Sequence, residues 1–241
     1  MTFTFFVFSS TLFAATTTEL IDQGDSLCGI YNYQAAVEQY RIAAQNDSSS
    51  FDAFWKLGKC LNFLGELAPR DSQLTIFENA RDAELAALKL NDTSSDAHFQ
   101  LARAVGKIAL YKGIFNSIGL AKQVKREADR ALALDSLHDG AWHILGRWNR
   151  EVARKPKIFR GPLGLGEANK KDAIAFMQKA IAINPNLIHH HLEMGITYKD
   201  YDMEAEARRE FEKCQSLPSN GPIENIYREE AKKYLAGLDK K

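Results

Sequence analysis

The stretch Trp142-His-Ile-Leu145-Gly146-Arg147-Trp148-Asn149, followed by Ala173, Met177, Ala180 and Pro185, constrains this chain more than any other. Its order is that of a pair of helices. Trp142 and Leu145 supply bulk for a seam between two antiparallel helices, and Gly146, Ala173 and Ala180 let the two backbones approach. Pro185 cannot continue the second helix, because its ring blocks the preceding turn and it has no amide hydrogen. One such pair leaves an apolar face uncovered, so neighbouring copies are required. With Trp142 in the seam, Trp142→Ala is expected to cost on the order of 3–5 kcal/mol, the range for emptying a large core site.

The copies are present. Leu57-Gly58-x2-Leu61 follows Phe54, and Met194-Gly195-x2-Tyr198 follows His189-His190-His191. Gly24-x2-Leu27 with Ala36, Tyr40 and Ala43 forms an earlier copy without the Trp, and another starts near Asp96 with Leu101, Ala102 and Val105. The second-helix ends Ala87-Leu88-Lys-Leu90, Ala131-Leu132-Ala-Leu134 and Ala180-Ile181-Ala-Ile183 share one pattern. These spacings resemble the tetratricopeptide repeat (TPR), a helix–turn–helix unit of about 34 residues. The resemblance implies an all-α, TPR-like α-solenoid of about five helix-pair repeats. The units run roughly 17–50, 51–94, 95–137, 138–186 and 187–220, with residues 16–241 forming a single superhelical domain. A C-terminal capping helix from Pro222 to about Leu238 gives the terminal repeat a polar outer face. Packing residues should include Phe54, Leu57, Leu61, Leu101, Trp142, Leu145, Trp148, Met177, Met194, Tyr198 and Phe211. Period-two alternation is missing over useful lengths, so strand should be nearly absent.

Charge is balanced, with 31 Lys and Arg against 31 Asp and Glu, so no bulk attraction to nucleic acid is implied. Residues 1–15 form a signal-like segment, an apolar run from Phe3 to Phe13 followed by Ala14-Ala15. The run is shorter than the roughly 20 residues a bilayer span needs, and no Lys or Arg precedes Glu19 to supply the usual basic n-region. Export to a periplasmic or extracellular space, with cleavage near Ala15 or Thr16, is the expectation; without a working signal the protein would be cytoplasmic. Cys28, Cys60 and Cys214 have no metal-ligand spacing. Cys28 and Cys60 lie on first helices of adjacent units, where a disulfide is conceivable in an oxidising compartment.

Three units are stretched inside their hairpins, around Glu66 to Thr75, over Lys112 to Leu120, and over Lys155 to Gly166. Insertions of this kind map to one face of a solenoid, often the binding face. The third unit, from Arg103-Ala-Val-Gly-Lys107 through Leu120-Ala-Lys122 to Ala131-Leu132, leads into Asp139-Gly-Ala-Trp142 and Leu145-Gly146-Arg147-Trp148. This arrangement resembles the regulator of microtubule dynamics family and its bacterial exported TPR relatives. The resemblance covers most of the chain after residue 20 and implies a helical-repeat scaffold; its eukaryotic members are associated with microtubules.

Catalytic chemistry finds little support in the residues. Gly161-x2-Gly164-x-Gly166 lies near Lys170-Lys171, but no strand precedes it and no Gly-Lys-Ser/Thr follows, so it is not a phosphate loop. No nucleophile elbow is present. Consecutive histidines on a helix point about 100° apart and cannot converge on one ion. Only His138 and His143 joining His189 across helices would make a remote metal alternative. The expectation is a non-enzymatic protein without cofactor or metal.

In a TPR stack the first helices line the concave side. The register then places Trp55, Lys59 and Asn62 from the second unit on the groove. Phe99, Arg103 and Lys107 follow from the third, His143, Arg147 and Arg150 from the fourth, and Lys199 from the fifth. This strip is basic and aromatic in a neutral chain. It suits an acidic or carboxylate-bearing peptide held by forked bonds from Arg103 and Arg147, with Trp55 and Phe99 as apolar anchors. Reversing both arginines to Glu is expected to weaken partner capture by more than about tenfold with little change in melting. The competing readings are a structural assembly factor acting through the insertions, in envelope or cytoskeletal complexes, and peripheral membrane contact through residues 155–166, where Phe159, Leu163 and Leu165 lie among basic residues.

Overall fold

The computed structural model describes residues 15–239, with residues 113–116 described in backbone only. Residues 1–14 of the signal-like segment 1–15 lie outside the described residues. Among the described residues there are twelve α-helices and no strand. They form antiparallel pairs: α1 (Thr17–Gly29) with α2 (Tyr33–Asn46), α3 (Phe51–Leu67) with α4 (Arg70–Leu90), and α5 (Ser95–Tyr111) with α6 (Gly113–Leu134). In the fourth unit α7 (Asp139–Ala153) is followed by a short α8 (Lys157–Arg160) before its partner α9 (Lys170–Ile183). The last pair is α10 (Ile188–Asp200) with α11 (Glu204–Ser216), and α12 (Pro222–Leu238) closes the stack. The five pairs match the repeat boundaries expected from the sequence.

Polar turn residues start many of the helices. Thr16 and Glu19 form a reciprocal capping box, with Glu19 N–H donating to Thr16 Oγ1 at 3.2 Å and Thr16 N–H donating to Glu19 Oε2 at 2.8 Å. Ser50 and Ser94 accept from the amides of Ala53 and Ala97, relieving orphan donors at the starts of α3 and α5. In the second and third units the extra residues lengthen the helices, so that α4 has 21 residues and α6 has 22. In the fourth unit they build a separate knob.

The repeated glycine has one steric reason throughout. A Cβ at Gly146 would sit 3.1 Å from the backbone nitrogen of Met177, and one at Gly195 would sit 2.5 Å from the Phe211 ring. Each glycine is therefore the socket for a large side chain on the partner helix. Met177 and Phe211 are fully buried there, as are Leu101 and Met194, and Leu57, Leu61, Leu145 and Trp148 are buried with them. Phe54, Trp142 and Tyr198 are only partly buried.

The exposure of Trp142 corrects its expected energetic weight. Its ring meets Phe176 at 5.2 Å, the Lys179 ammonium lies 4.0 Å from its centroid, and its Nε1–H donates to Ser136 O at 2.9 Å. The ring covers the seam from outside and does not fill it. Trp142→Ala should therefore cost about 1–2 kcal/mol, below the range for a fully buried aromatic. A urea titration of the variant measures this; a loss above about 3 kcal/mol would place the ring in the core after all.

α12 does more than cap. Tyr227 and Ala231 are buried against α10 and α11, while Ile223 at its start packs on the cluster formed by α1 to α5 as well as on the terminal one. The loop before it reaches the first unit, where Gly221, at φ 127°, leaves no room for a Cβ beside the Tyr31 ring. The last helix thus lies across the concave side and links the two ends of the stack.

Candidate functional site: the concave groove

The first helices of the pairs present their inner faces to a cavity of about 730 Å³, which α12 covers on one side. Seven of the ten residues placed on the groove by register line it: Trp55, Lys59, Phe99, Arg103, Lys107, His143 and Arg147. The other three are occupied elsewhere. Asn62 is wholly buried and clips α3 to α5 by donating to the Gln100 backbone oxygen at 3.1 Å and side-chain oxygen at 3.0 Å. Arg150 is buried among Glu193, Glu151 and Asp200. The Lys199 ammonium lies 5.7 Å from the centroid of the Tyr234 ring on α12.

The basic strip carries its own carboxylates. Glu66, on the last turn of α3, meets Arg103 at 3.3 Å and Lys107 at 2.6 Å. Glu193, on α10, meets Arg147 at 3.1 Å and Arg150 at 2.8 Å. Burial alone would push both carboxyls up, but the adjacent cations outweigh it and hold them below the usual carboxylate range. Because Arg147 rests on a buried carboxylate, reversing it would set two acids side by side inside the protein. The double Glu variant would therefore disturb folding, contrary to the expectation of unchanged melting.

Histidines form the wall between the fourth and fifth units. His143 and His190 share an Nδ1···Nδ1 contact of 2.9 Å, His190 Nε2 meets Asp139 at 3.0 Å, and His189 stacks on Tyr227 of α12 at 4.3 Å. Burial and the neighbouring imidazoles hold His143 and His189 well below the ordinary histidine range, so both are neutral near pH 7. His138 does not join them. It caps α7 through Nδ1 and packs on Phe99 at 4.6 Å. Instead the ligand atoms of His143, His189 and Glu193 lie within 4.8 Å of one another. Glu193 is already neutralised by two guanidinium groups, and a further cation would meet Arg147 and Arg150 at close range. That charge arrangement works against a divalent ion.

At the N-terminal end, Cys28 and Cys60 are free thiols, and Cys60 Sγ donates to Tyr33 O at 3.6 Å. The neighbouring Cys60 side chain, with smaller help from Lys59, holds the Cys28 thiol down at about 7 despite burial, while the Cys60 thiol is pushed up. Three polar atoms in the cavity wall, His143 Nε2, Glu224 Oε1 and Tyr227 Oη, are buried without a hydrogen-bond partner among the described residues. Register arithmetic missed Glu66, Glu193 and Tyr227. Extending the α3 stripe Trp55–Lys59–Asn62 by four residues reaches Glu66, and stepping four from His189 reaches Glu193. Nothing in the sequence signalled that α12 would bring Tyr227 across the groove.

Solved structures share this architecture. A thermophilic TPR protein of Thermus thermophilus matches with a TM-score of 0.66 at 12% identity, over 90% of this chain and 98% of that one. YrrB, described as a TPR protein with an unusual peptide-binding site, matches with a TM-score of 0.50 at 15% identity, over 90% of this chain and 94% of that one. Among sequences, regulator of microtubule dynamics protein 1 of Bos taurus is 23% identical over 236 residues, covering 92% of this chain and 72% of that protein. The family model for regulator of microtubule dynamics proteins 1-3 matches residues 20–239, nearly the whole described fold, and the chain belongs to that family.

Proposed function

We propose that the protein is a non-enzymatic scaffold whose concave groove receives an acidic, carboxylate-bearing peptide segment of a partner protein. One observation carries this reading. The cavity combines aromatic walls from Tyr31, Trp55, Phe63 and Phe99 with Arg103, Lys107 and Arg147 on its inner surface. These three cations face two buried carboxylates, Glu66 and Glu193, and Arg150 adds a further positive charge from behind. An incoming carboxylate would meet donors already fixed in place, so little side-chain entropy is lost on binding. Trp55 and Phe99 line the cavity as apolar anchors, and Lys59 lies 5.0 Å over the Trp55 ring.

Crosslinking and mass spectrometry from native cells would identify the captured segment, and its affinity can then be measured by fluorescence polarisation. Lys59→Gln combined with Arg103→Gln leaves Lys107 on Glu66 and Arg147 on Glu193, so the fold is kept. Capture should fall by more than about tenfold and the remaining binding should weaken with salt. Unchanged affinity would remove the groove from the mechanism and favour assembly through the hairpin insertions.

Export belongs to the same reading. Its support is that α1 is capped by Thr16 itself, beside the expected cleavage point at Ala15 or Thr16. N-terminal sequencing of the protein recovered from the periplasm or medium should begin there; an intact Phe-rich N-terminus in the soluble cytoplasm would overturn it.

A further inference from the structure

The knob between α7 and α9 is built around a buried arginine. Arg160, 9% exposed, donates through Nε to Lys155 O at 2.9 Å, and through Nη1 to Leu165 O at 2.9 Å and Gly166 O at 3.0 Å. One guanidinium thus ties both ends of the insertion together. The segment between them closes as α8 and a wide π-type turn over Gly161–Leu165, broken at Gly164 with φ 71°. Such turns cost helix regularity and concentrate at functional places. Leu165 points inward and is buried with Trp148 and Val124.

What this construction displays is apolar. Ile158 is 77% exposed and Phe159 69% exposed, side by side on α8, with Leu163 39% exposed beyond them. A buried arginine bonded to three carbonyls inside and two bulky side chains outside is the reverse of what a stabilising loop requires. Adjacent exposed residues of this size mark a contact surface when they are held rigidly together. The charged residues nearest them in sequence are Lys155, Lys157 and Arg160, and the nearby acid Glu167 lies 3.5 Å from Lys125. Lys155 and Lys157 flank the pair, and Lys122 lies beside Gly164, with its Nζ 3.5 Å from where a Cβ there would stand. Among the described residues none of these three lysines makes an ion pair. The acids near Lys155 are already engaged, since Arg154 holds both Glu151 and Asp200.

We propose that this knob docks the protein on an anionic lipid surface, with Ile158 and Phe159 entering the interface and Lys155, Lys157 and Lys122 meeting the headgroups. The segment has the shape of a small knob that exposes Ile158 and Phe159 to solvent, with the exposed Lys155 and Lys157 next to them in sequence. That shape needs a deformable, negatively charged partner, and a bilayer interface provides both properties. No described helix is long and apolar enough to cross a membrane, so the contact is peripheral. It is independent of what occupies the groove.

The test is co-sedimentation of the full chain with vesicles of phosphatidylcholine alone and of phosphatidylcholine mixed with phosphatidylserine. The protein should pellet with the mixed vesicles, not with the neutral ones, and release as salt is raised. Ile158→Ser with Phe159→Ser should lower the partition coefficient by at least about tenfold, since each apolar side chain gives up its transfer into the interface. Lys155→Glu with Lys157→Glu should do the same on mixed vesicles. Both pairs are exposed, so the melting temperature should not move. No pelleting of the wild-type chain with either vesicle would overturn the proposal. Pelleting that both double variants retain would overturn it too, placing the lipid contact elsewhere in the chain.

Discussion

Glu193→Gln should destabilise the protein by about 3 kcal/mol at pH 7, measured by urea unfolding. Glu193 is 5% exposed and holds Arg147 and Arg150 with its two oxygens, and Arg150 is itself only 3% exposed. An amide in its place still accepts a hydrogen bond but cancels no charge. As acidic partners Arg150 then keeps Glu151 at 3.0 Å and Asp200 at 3.6 Å, both nearer the surface, beside its bonds to the Glu193 backbone oxygen and Thr197. The cost should depend on pH in one direction. Burial opposes the charged carboxyl of Glu193, yet the two guanidinium groups prevail and its folded value lies far below the ordinary 4.5. A depressed acid stabilises the fold above its unfolded value, and that contribution is lost as pH falls below about 4.5. The wild-type and Gln curves should therefore converge on acidification. Asp139 titrates in the same sense. It is pulled down to about 2 by its bond to His190 and by Asn184, against the effect of burial, so the wild type should still be acid-sensitive when Glu193 is gone. A difference between wild type and variant that stays constant from pH 7 to acid would mean that Glu193 is not the charged partner of Arg150.

The stack was legible because its signal is local and repeated. A small residue at Gly58, Gly146 or Gly195 and a large one on the partner helix must occur together, and such pairs recur at fixed spacing. The groove was legible in part for the same reason. Seven register positions line it because each helix presents one face inward. Asn62, Arg150 and Lys199 show where that reasoning stops. Their positions follow the stripe, but their surroundings depend on contacts between units: Gln100 for Asn62, Glu193 for Arg150, Tyr234 for Lys199. The path of α12 was hidden altogether. Its apolar residues at helical spacing fit an end cap equally well. The reach of Ile223 back to the first unit follows from the curvature of the whole stack, which no window of sequence contains. The same holds for Arg160, whose burial among three carbonyls could not be told from a solvated cation in a basic insertion.

The largest gain in stability should come from removing another acid. Glu84 is wholly buried, and neither carboxylate oxygen has a hydrogen-bond partner. Its place in the repeat explains the anomaly's geometry: Glu84 fills the socket of Gly58, as Met177 fills that of Gly146 and Phe211 that of Gly195. Two of these three units put an apolar side chain there, and the second puts a carboxyl. Burial, reinforced by Asp96 and opposed weakly by Lys59, raises its folded value well above 4.5, so the folded protein holds the proton. A raised acid leaves the fold unpenalised below its unfolded value. It then costs stability as pH climbs past about 4.5, by up to about 1.4 kcal/mol per unit until the folded group itself ionises. This slope is opposite to that of Glu193. Glu84→Met keeps the unbranched shape that fits beside Gly58 and leaves no polar atom unpaired, so it should stabilise by about 1–3 kcal/mol at pH 7. The gain should shrink toward pH 4 and widen toward pH 8, read from denaturant midpoints across that range. A variant less stable than wild type at pH 8, or a gain that does not change with pH, would show that the carboxyl reaches solvent or a partner and is not held neutral in the socket.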